Sequence, residues 1–492
     1  MIKSIRVVRI ALAVLSGLIS LSLFCGSGVV LSNWAAFQLG PAIARLAATF
    51  SLGALGIVLL ILALTFLFGR FYCVLVCPLG ILQDLIGALS LRKSRPVKNF
   101  PMVRYLVLLA VLLAMVLGWA IGWKILDPFS EFGAIAGGVN HLILTISNYF
   151  NSETSWSNQS NSYWSIAIGL IPLAILISLV VWKKRIFCTA FCPVGTILGL
   201  AAKFGWFRLT LEGEQCVKCG KCVRSCPSGC IALSSGEIDN ERCVRCLNCL
   251  SICPKHAIHF EHPAVKPVVF DLDRRRFLLG GAATAALTAG AVCTFKPTAK
   301  RSGVANGAIF PPGAGSAERF RSKCTGCQLC VTNCRGKVLR SAGDGVDSVH
   351  LKFDRGMCEF TCNNCSQVCP TGAIVPMALA DKRRCRIGQA EYIQDICVAF
   401  VDGTDCGACA EHCPTGALRM EGSHQGVRIP KLTPELCIGC GSCEYACPVR
   451  PQRAIVVRPV PIQVRAADPE EYFRQQNKSS EPETAGDDAW LI

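Results

Sequence analysis

Cys216-Val217-Lys218-Cys219-Gly220-Lys221-Cys222-Val223-Arg224-Ser225-Cys226-Pro227 is the stretch that decides the fold. Thiolates spaced by two, two and three residues, with proline after the last, suit a cubane [4Fe-4S] cluster: three wrap one cluster and the fourth reaches a neighbour. A second copy comes directly after it, Cys243, Cys246, Cys249 and Cys253 before Pro254, so residues 206–265 read as a two-cluster ferredoxin. Four more groups lie downstream: Cys324, Cys327, Cys330, Cys334; Cys358, Cys362, Cys365, Cys369; Cys397, Cys406, Cys409, Cys413; and Cys437, Cys440, Cys443, Cys447. Residues 323–465 read as a four-cluster module. The small-then-apolar steps Ala257-Ile258, Ala373-Ile374 and Ala417-Leu418 predict short strands packed against clusters. Tetrahedral zinc has no use for a fourth cysteine three residues on, and a disulfide scaffold does not call for such regular spacing.

The remainder of the chain is too apolar for an ordinary soluble protein: 52% of 492 residues are hydrophobic. Four segments, Ile10 to Leu31, Phe50 to Phe68, Tyr105 to Trp123 and Tyr163 to Trp182, lack internal charge and approach the roughly 20 residues that cross a bilayer. Residues 1–205 therefore read as a four-helix membrane domain. Lys3, Arg6 and Arg9 precede the first segment, Arg92, Lys93, Arg95, Lys98 and Arg104 join the second to the third, and Lys183, Lys184 and Arg185 come after the fourth. The positive-inside rule puts both ends of this domain, and the two-cluster ferredoxin, in the cytoplasm. A fifth apolar stretch within 270–296 opens on Arg274-Arg275-Arg276-Phe277-Leu278-Leu279. It reads as a twin-arginine-like export signal or as a plain transmembrane anchor, and either places the C-terminal residues beyond it outside. Residues 297–322 read as a linker, 323–465 as periplasmic, and 466–492 as an acidic, disordered tail.

The formal charge of +17 counts every thiol as neutral. A cubane on four thiolates carries about −2, so six bring about −12 and leave about +5. The basicity is largely cluster compensation, and no aromatic-interleaved basic stripe points to nucleic acid.

The membrane domain repeats itself. Arg70-Phe71-Tyr72-Cys73-Val74-Leu75-Val76-Cys77-Pro78-Leu79-Gly80 closes the second apolar segment, and Arg185-Ile186-Phe187-Cys188-Thr189-Ala190-Phe191-Cys192-Pro193-Val194-Gly195 closes the fourth. Two hairpins built alike bring these ends to one cytoplasmic face, where Cys73, Cys77, Cys188 and Cys192 could hold a further metal centre at the membrane surface. Free thiols or local disulfides are the alternative.

Four helices with Cys-x-x-x-Cys-Pro after the second and fourth, then a two-cluster ferredoxin, resemble over residues 1 to 262 the NapH type of membrane ferredoxin, a quinol dehydrogenase component of periplasmic nitrate reductase systems. The arginine signal, Phe310-Pro311-Pro312-Gly313-Ala314, Glu318, Phe320 and the four cysteine groups resemble over 270 to 465 the exported NapG type, including the eight residues between Cys397 and Cys406. Arg335, where a proline would stand after Cys334, departs from that pattern. The chain looks like a fusion of the two: an α-helical membrane bundle of four plus one helices carrying two α+β ferredoxin-like modules with two and four [4Fe-4S] clusters. The resemblance implies that Cys216, Cys219 and Cys222 share a cluster with Cys253, and Cys243, Cys246 and Cys249 one with Cys226. It also implies nested pairing in the larger module: Cys324, Cys327 and Cys330 with Cys447; Cys437, Cys440 and Cys443 with Cys334; Cys358, Cys362 and Cys365 with Cys413; Cys397, Cys406 and Cys409 with Cys369. Sequential pairing, first group with second and third with fourth, is the alternative.

No Cys-x-x-Cys-His haem site, dinucleotide fingerprint or molybdopterin-sized domain accompanies the clusters, so no independent catalytic site is visible. The expected function is electron transfer from the membrane quinone pool to a periplasmic reductase or cytochrome, with quinol as substrate. A redox-sensing or maturation protein, or a reverse conduit to a cytoplasmic acceptor, are the rivals. Asp127, Glu131 and His141 are the candidate proton acceptors near the outer surface. Cys25, Cys230, Cys293 and Cys385 fit no group and read as buried, inert thiols.

Overall fold

Apolar runs without charge bury their backbone, and a helix satisfies every buried N–H and C=O within one segment. In the computed structural model, which describes residues 2–90, 101–116, 121–150, 162–262, 307–342, 348–424 and 426–480, the helices are α1 (Ile2–Ser22), α2 (Leu52–Phe68), α3 (Pro78–Leu89), α4 (Pro101–Val116), α5 (Pro128–Phe150), α6 (Ser162–Trp182) and α7 (Pro193–Lys203), of which α1, α2, α4 and α6 fall on the four expected segments while α3, α5 and α7 are additional. Pro78 and Pro193 start α3 and α7, where a missing N–H costs nothing. The first run ends earlier than its apolar composition suggests, passing into a π-helical turn at Leu23–Ser27. Two helical spans, Ile5–Cys25 and Pro128–Ser147, are long and apolar enough to cross a membrane, and Leu52–Phe68, Pro78–Leu89, Pro101–Ala114 and Ile166–Trp182 are shorter apolar helices. The stretch 270–296 with its arginines lies outside the described residues, as do Cys293 and most of the basic run before α4.

The ferredoxin modules are built on short antiparallel pairs. In the smaller, β1 (Arg208–Leu211) pairs with β2 (Ile258–Glu261), Leu211 opposite Ile258. In the larger, β3 (Cys385–Tyr392) pairs with β6 (Ile455–Arg465), and β4 (Leu418–His424) with β5 (Val427–Leu432). The strands expected after Ala257 and Ala417 are these β2 and β4. None forms at Ala373-Ile374, because the Val375 N–H is taken by the Gly313 carbonyl.

Residues 307–322 are not a linker: Ile309, Phe310, Ala314 and Phe320 are buried in the core of the larger module. The acidic tail is likewise ordered over Pro469–Ser480, a helix whose Tyr472 and Phe473 pack beside Leu418 and Leu436 while Arg419 stacks 3.5 Å over the Phe473 ring. Two aromatics supply enough apolar area to dock an otherwise polar segment. Residues 481–492 lie outside the described residues.

The two modules sit at opposite ends of α1. Near its start, Arg6 donates to Ser251 Oγ at 3.4 Å. Beyond its end, the Gly28 N–H donates to Asn333 Oδ1 at 3.0 Å and Asn333 Nδ2 to the Leu23 carbonyl at 3.0 Å. α5 runs beneath the larger module with Gly133, Gly137 and His141 on one face: a Cβ on Gly133 would strike the Cys327 carbonyl, and one on Gly137 would crowd Gln328 Oε1 at 2.8 Å. One apolar core spans the whole distance, from Val244 and Cys246 through Cys73, Cys77, Cys188 and Cys192 to Cys327, Leu329 and Val368.

Glu241 fastens the smaller module. Its carboxylate accepts from Arg104 and Tyr105 and lies 3.9 Å from Lys203, while its carbonyl accepts from Arg70 at 3.2 Å. Removing one partner of a buried ion pair strands the other charge at a cost of several kcal/mol. Glu241→Ala is therefore expected to lower stability by about 3 kcal/mol and Tyr105→Phe by about 1 kcal/mol, as measured by denaturant unfolding of the detergent-solubilised protein followed through cluster absorbance.

Candidate iron–sulfur sites

Four of the six cysteine groups fold the same way locally. The first two thiols lie on a loop that turns through a left-handed residue, Gly220, Leu247, Gln328 or Gly441, and the third sits on the one-turn helix after it; the Cys358 and Cys397 groups reach their one-turn helices through Asn363 and Gly407 at negative φ. The fourth ends that helix in extended backbone, as Cys226 and Cys253 do, which throws its side chain away from the first three. Four thiols from one segment thus cannot close on one centre; they must be shared between segments.

The sharing is visible in which thiols line the same cavities, four of which are ringed by cysteines. One is lined by Cys216, Cys219, Cys222 and Cys253, another by Cys226, Cys243, Cys246 and Cys249 together with Cys230. In the larger module one cavity gathers Cys358, Cys362, Cys365 and Cys334, and one gathers Cys437, Cys440, Cys443 and Cys413. Cys369 interacts with Cys324, Cys327 and Cys330, and Cys447 packs with Cys397 and Cys406, beside which Cys409 lies. This corrects the nested pairing: the groups associate sequentially, first with second and third with fourth. The physical reason is proximity in the chain, since the one-turn helices Leu329–Thr332 and Asn364–Val368 pack on each other, as do Ala408–Glu411 and Ser442–Ala446. Among the described residues no group of three or more His, Cys, Asp or Glu side chains is arranged to hold a single metal ion. Donors that ring a volume instead of a point suit a multi-iron cluster.

Cys73, Cys77, Cys188 and Cys192 converge, each 4% exposed, in the middle of the helical core. Ser16 Oγ donates to the Val76 carbonyl at 3.3 Å, so the quartet lies level with Ser16, ~15 Å along α1 from Arg6 and ~10 Å from Leu23. An approximate two-fold relates the two halves. Arg70 donates to the Cys188 carbonyl at 2.9 Å, and Arg185 to the Cys73 carbonyl at 2.9 Å. Both guanidinium groups are fully buried. Arg185 also pairs with Asp84, whereas Arg70 has no carboxylate partner among the described residues and points one nitrogen at Cys73 Sγ, 3.8 Å away. Gln83 donates to Cys188 Sγ and the Gly195 N–H to Cys192 Sγ, both at 3.2 Å. Donors and a spare cation around four thiols form a cradle for an anionic metal–thiolate group.

The sequence reading missed the arginines' role although both stand in the repeat, three residues before each first cysteine. It also missed Cys230, and it misjudged Cys25, which is exposed. Cys385 is half-buried against Gln463. Of the three acidic or basic candidates, Asp127 is fully buried, with Oδ2 accepting from the Ser130 N–H and Oγ at 2.9 Å and Oδ1 without a partner among the described residues. Glu131 and His141 are only half-buried on α5.

Gly80 and Gly195 are equivalent in the repeat, and a Cβ on either would run into the carbonyl of Cys73 or Cys188 respectively. Gly195→Ala is expected to destabilise by about 1–3 kcal/mol through overpacking, and Gly80→Ala to do the same. Thermal unfolding should register both, while Gly213→Ala, where an added Cβ meets nothing within 4 Å, should be close to neutral.

Comparison with known proteins agrees with this geometry. A 4Fe-4S dicluster domain model matches residues 215–257, 323–373 and 404–450, the first two each spanning two neighbouring cysteine groups and the third two groups save Cys397, and a 4Fe-4S binding domain model matches 50–96 and 164–212, the two halves that carry the quartet. The ferredoxin-type protein NapF of Escherichia coli K12 is 32% identical over 146 residues, 30% of this chain and 83% of the relative. NapG of the same strain, also a ferredoxin-type protein, is 32% identical over 212 residues, 38% of this chain and 87% of the relative. The methylamine utilization ferredoxin-type protein MauM of Methylobacillus flagellatus is 31% identical over 166 residues, 31% of this chain and 68% of the relative. This chain carries multiple [4Fe-4S] clusters in iron–sulfur electron transfer and belongs to the family of Nap-type ferredoxin-type proteins.

Proposed function

We propose that the protein is a membrane-bound conduit that takes electrons from quinol and delivers them to a periplasmic reductase or cytochrome, a NapH-like membrane half fused to a NapG-like exported half. The observation that carries this reading is the attachment of the two ferredoxin modules to opposite ends of α1, through Ser251 and Asn333. Between them the helices turn apolar side chains outward, among them Val7, Leu12, Leu15 and Leu18 on α1 and Leu52, Leu55, Leu59 and Phe66 on α2. An exposed apolar belt of that extent calls for lipid. The basic residues of the sequence assign the end carrying the smaller module to the cytoplasm.

On this proposal the metal ligands are Cys216, Cys219, Cys222 with Cys253; Cys243, Cys246, Cys249 with Cys226; Cys324, Cys327, Cys330 with Cys369; Cys358, Cys362, Cys365 with Cys334; Cys397, Cys406, Cys409 with Cys447; and Cys437, Cys440, Cys443 with Cys413. Cys73, Cys77, Cys188 and Cys192 hold a seventh centre. When bound, the clusters supply one-electron steps; the chain sets their spacing, burial and surrounding charge. The quartet makes the conduit continuous. Cys246 reaches the bundle beside Arg9, Asp84 and Arg185 on one side of it, and Cys327 lies near Asp127 on the other.

Quinol oxidation also needs somewhere to put protons. Burial pushes the Asp127 carboxyl up to about 6, which leaves it ionised, and able to accept, just above that pH. Protonation below about pH 6 removes the acceptor, so quinol oxidation should slow as pH falls through that value. Asp127→Asn is expected to cost about 100-fold in quinol-dependent cluster reduction and to abolish that pH dependence, as measured by stopped-flow absorbance in proteoliposomes. Cys73→Ser/Cys188→Ser should lose iron relative to the parent and block quinol reduction of Cys243-group clusters; unchanged iron would remove the seventh centre. Reporter fusions that placed both modules on one side of the membrane would overturn the topology. Cluster potentials well below those of quinones would favour the reverse conduit.

A further inference from the structure

Cys230 belongs to none of the six cysteine groups, yet it lines the same cavity as Cys226, Cys243, Cys246 and Cys249. Its sulfur is 3.5 Å from Cys226 Sγ and within hydrogen-bonding reach of Cys243. It is 5% exposed, and it stands four residues after the last cysteine of its group.

The chain supplies its own comparison for that position. Four residues after Cys253, Cys369 and Cys413 stand Ala257, Ala373 and Ala417, each 1% exposed. The residue just before is left-handed every time: Gly229 at φ 58°, His256 at 51°, Gly372 at 70° and Gly416 at 64°. The turn recurs a fifth time, where Lys337 at φ 50° precedes Val338, 1% exposed and four residues after Cys334, and Cys230, Val338 and Ala417 each line a cluster cavity. Three of the copies carry alanine there and one carries valine. The remaining copy, in the cavity that abuts the helical bundle, carries a thiol.

We propose that Cys230 is a fifth ligand-competent thiol of this site, able to take the place of Cys226. The exchange is balanced without any redox partner: Cys226 leaves iron as Cys230 binds it, and the proton released by the Cys230 thiol ends on Cys226. Cys230 needs only a rotation about its Cα–Cβ bond, because its sulfur already faces the cavity. The proposal rests on the reading that the Cys243 group and Cys226 hold a cluster. Its consequence is specific to position. The smaller module's outer site, with Ala257, is held by one fixed set of four thiols, while the inner site, next to the membrane quartet, has two alternative fourth ligands.

The test uses full-length protein in detergent, with iron and acid-labile sulfide counted per chain and the reduced clusters followed by electron paramagnetic resonance. Cys226→Ala should keep the parental iron count with an altered signal from one cluster. Cys226→Ala/Cys230→Ala should fall below it by about four irons and four sulfides. Equal losses in the single and double variants would overturn the proposal. A double variant with the parental iron count would instead sink the underlying assignment of a cluster to this cavity. Should Cys226→Ala fail to accumulate, the transplant decides at the cavity that Cys413 and Ala417 both line: Cys413→Ala is expected to lose iron there and Cys413→Ala/Ala417→Cys to regain it, and no recovery would equally overturn the proposal.

Discussion

Two buried guanidinium groups, each gripping a carbonyl of the opposite repeat, are the constraint on which the rest of this molecule depends. Arg70 holds the Cys188 carbonyl and Arg185 the Cys73 carbonyl. A fully buried cation is costly unless something negative lies close. Asp84 answers for Arg185; for Arg70 the nearest candidates are the thiols themselves. The arrangement therefore links charge to ligand chemistry: the arginines hold the two cysteine-bearing turns together through their carbonyls, and thiolate sulfurs would give Arg70 the negative partner that Asp84 gives Arg185. Gly80 and Gly195 are consequences of the same lock, since the helices that start at Pro78 and Pro193 must pass directly over the clamped carbonyls.

The same reciprocity of charge runs through both modules. Arginines are buried or stacked near the cluster ligands throughout: Arg245 beside Cys243, Arg242 reaching the Ser228 carbonyl, Arg386 on the Cys437 carbonyl and Arg453 near Cys447. A net charge of +17 on a chain of this size is a liability by itself. Against about −2 per cubane it becomes near balance, and the cations sit where the clusters' charge will be.

Much of this is legible in the sequence because cluster ligation imposes spacing. Six groups of four cysteines, and the repeat that carries Cys73, Cys77, Cys188 and Cys192, can be read without coordinates, whereas the helix Pro128–Phe150, with Gly133, Gly137 and His141 on the face toward the larger module, lies outside the four segments that composition picks out. Features that depend on how segments pack cannot. Nested and sequential pairing use identical ligands, so only the docking of the one-turn helices on one another distinguishes them. The depth of the quartet depends on Ser16 meeting Val76, a contact between segments sixty residues apart. Residues 307–322 look like a linker because Pro311, Pro312, Gly313 and Gly315 obscure a core of Ile309, Phe310 and Phe320. Tyr472 and Phe473 are outweighed in composition by the acids around them. Cys230 escapes a motif search, which counts ligands by spacing, whereas the left-handed turn that aims it shows only in three dimensions.

The placement of Asp127 gives the proposed conduit an asymmetry. Tyr72, next to Cys73 in sequence, donates to Gln38 at 2.8 Å and accepts from the Leu39 N–H, and a Cβ on Gly40 beyond it would meet the Asp127 carboxylate. Tyr72 and Asp127 thus meet the same buried turn at Gln38–Gly40, and Cys327 lies near Asp127. If quinol is oxidised there, its protons leave at the outer end while its electrons meet two routes, outward through the larger module or inward through the quartet to Cys246. The Cys324, Cys327 and Cys330 group packs directly on α5. A second, inward route is then useful only if the relative potentials at the quartet and at the Cys226–Cys230 site can hold electrons back or let them pass, which makes the charge around Arg70 the natural point of control.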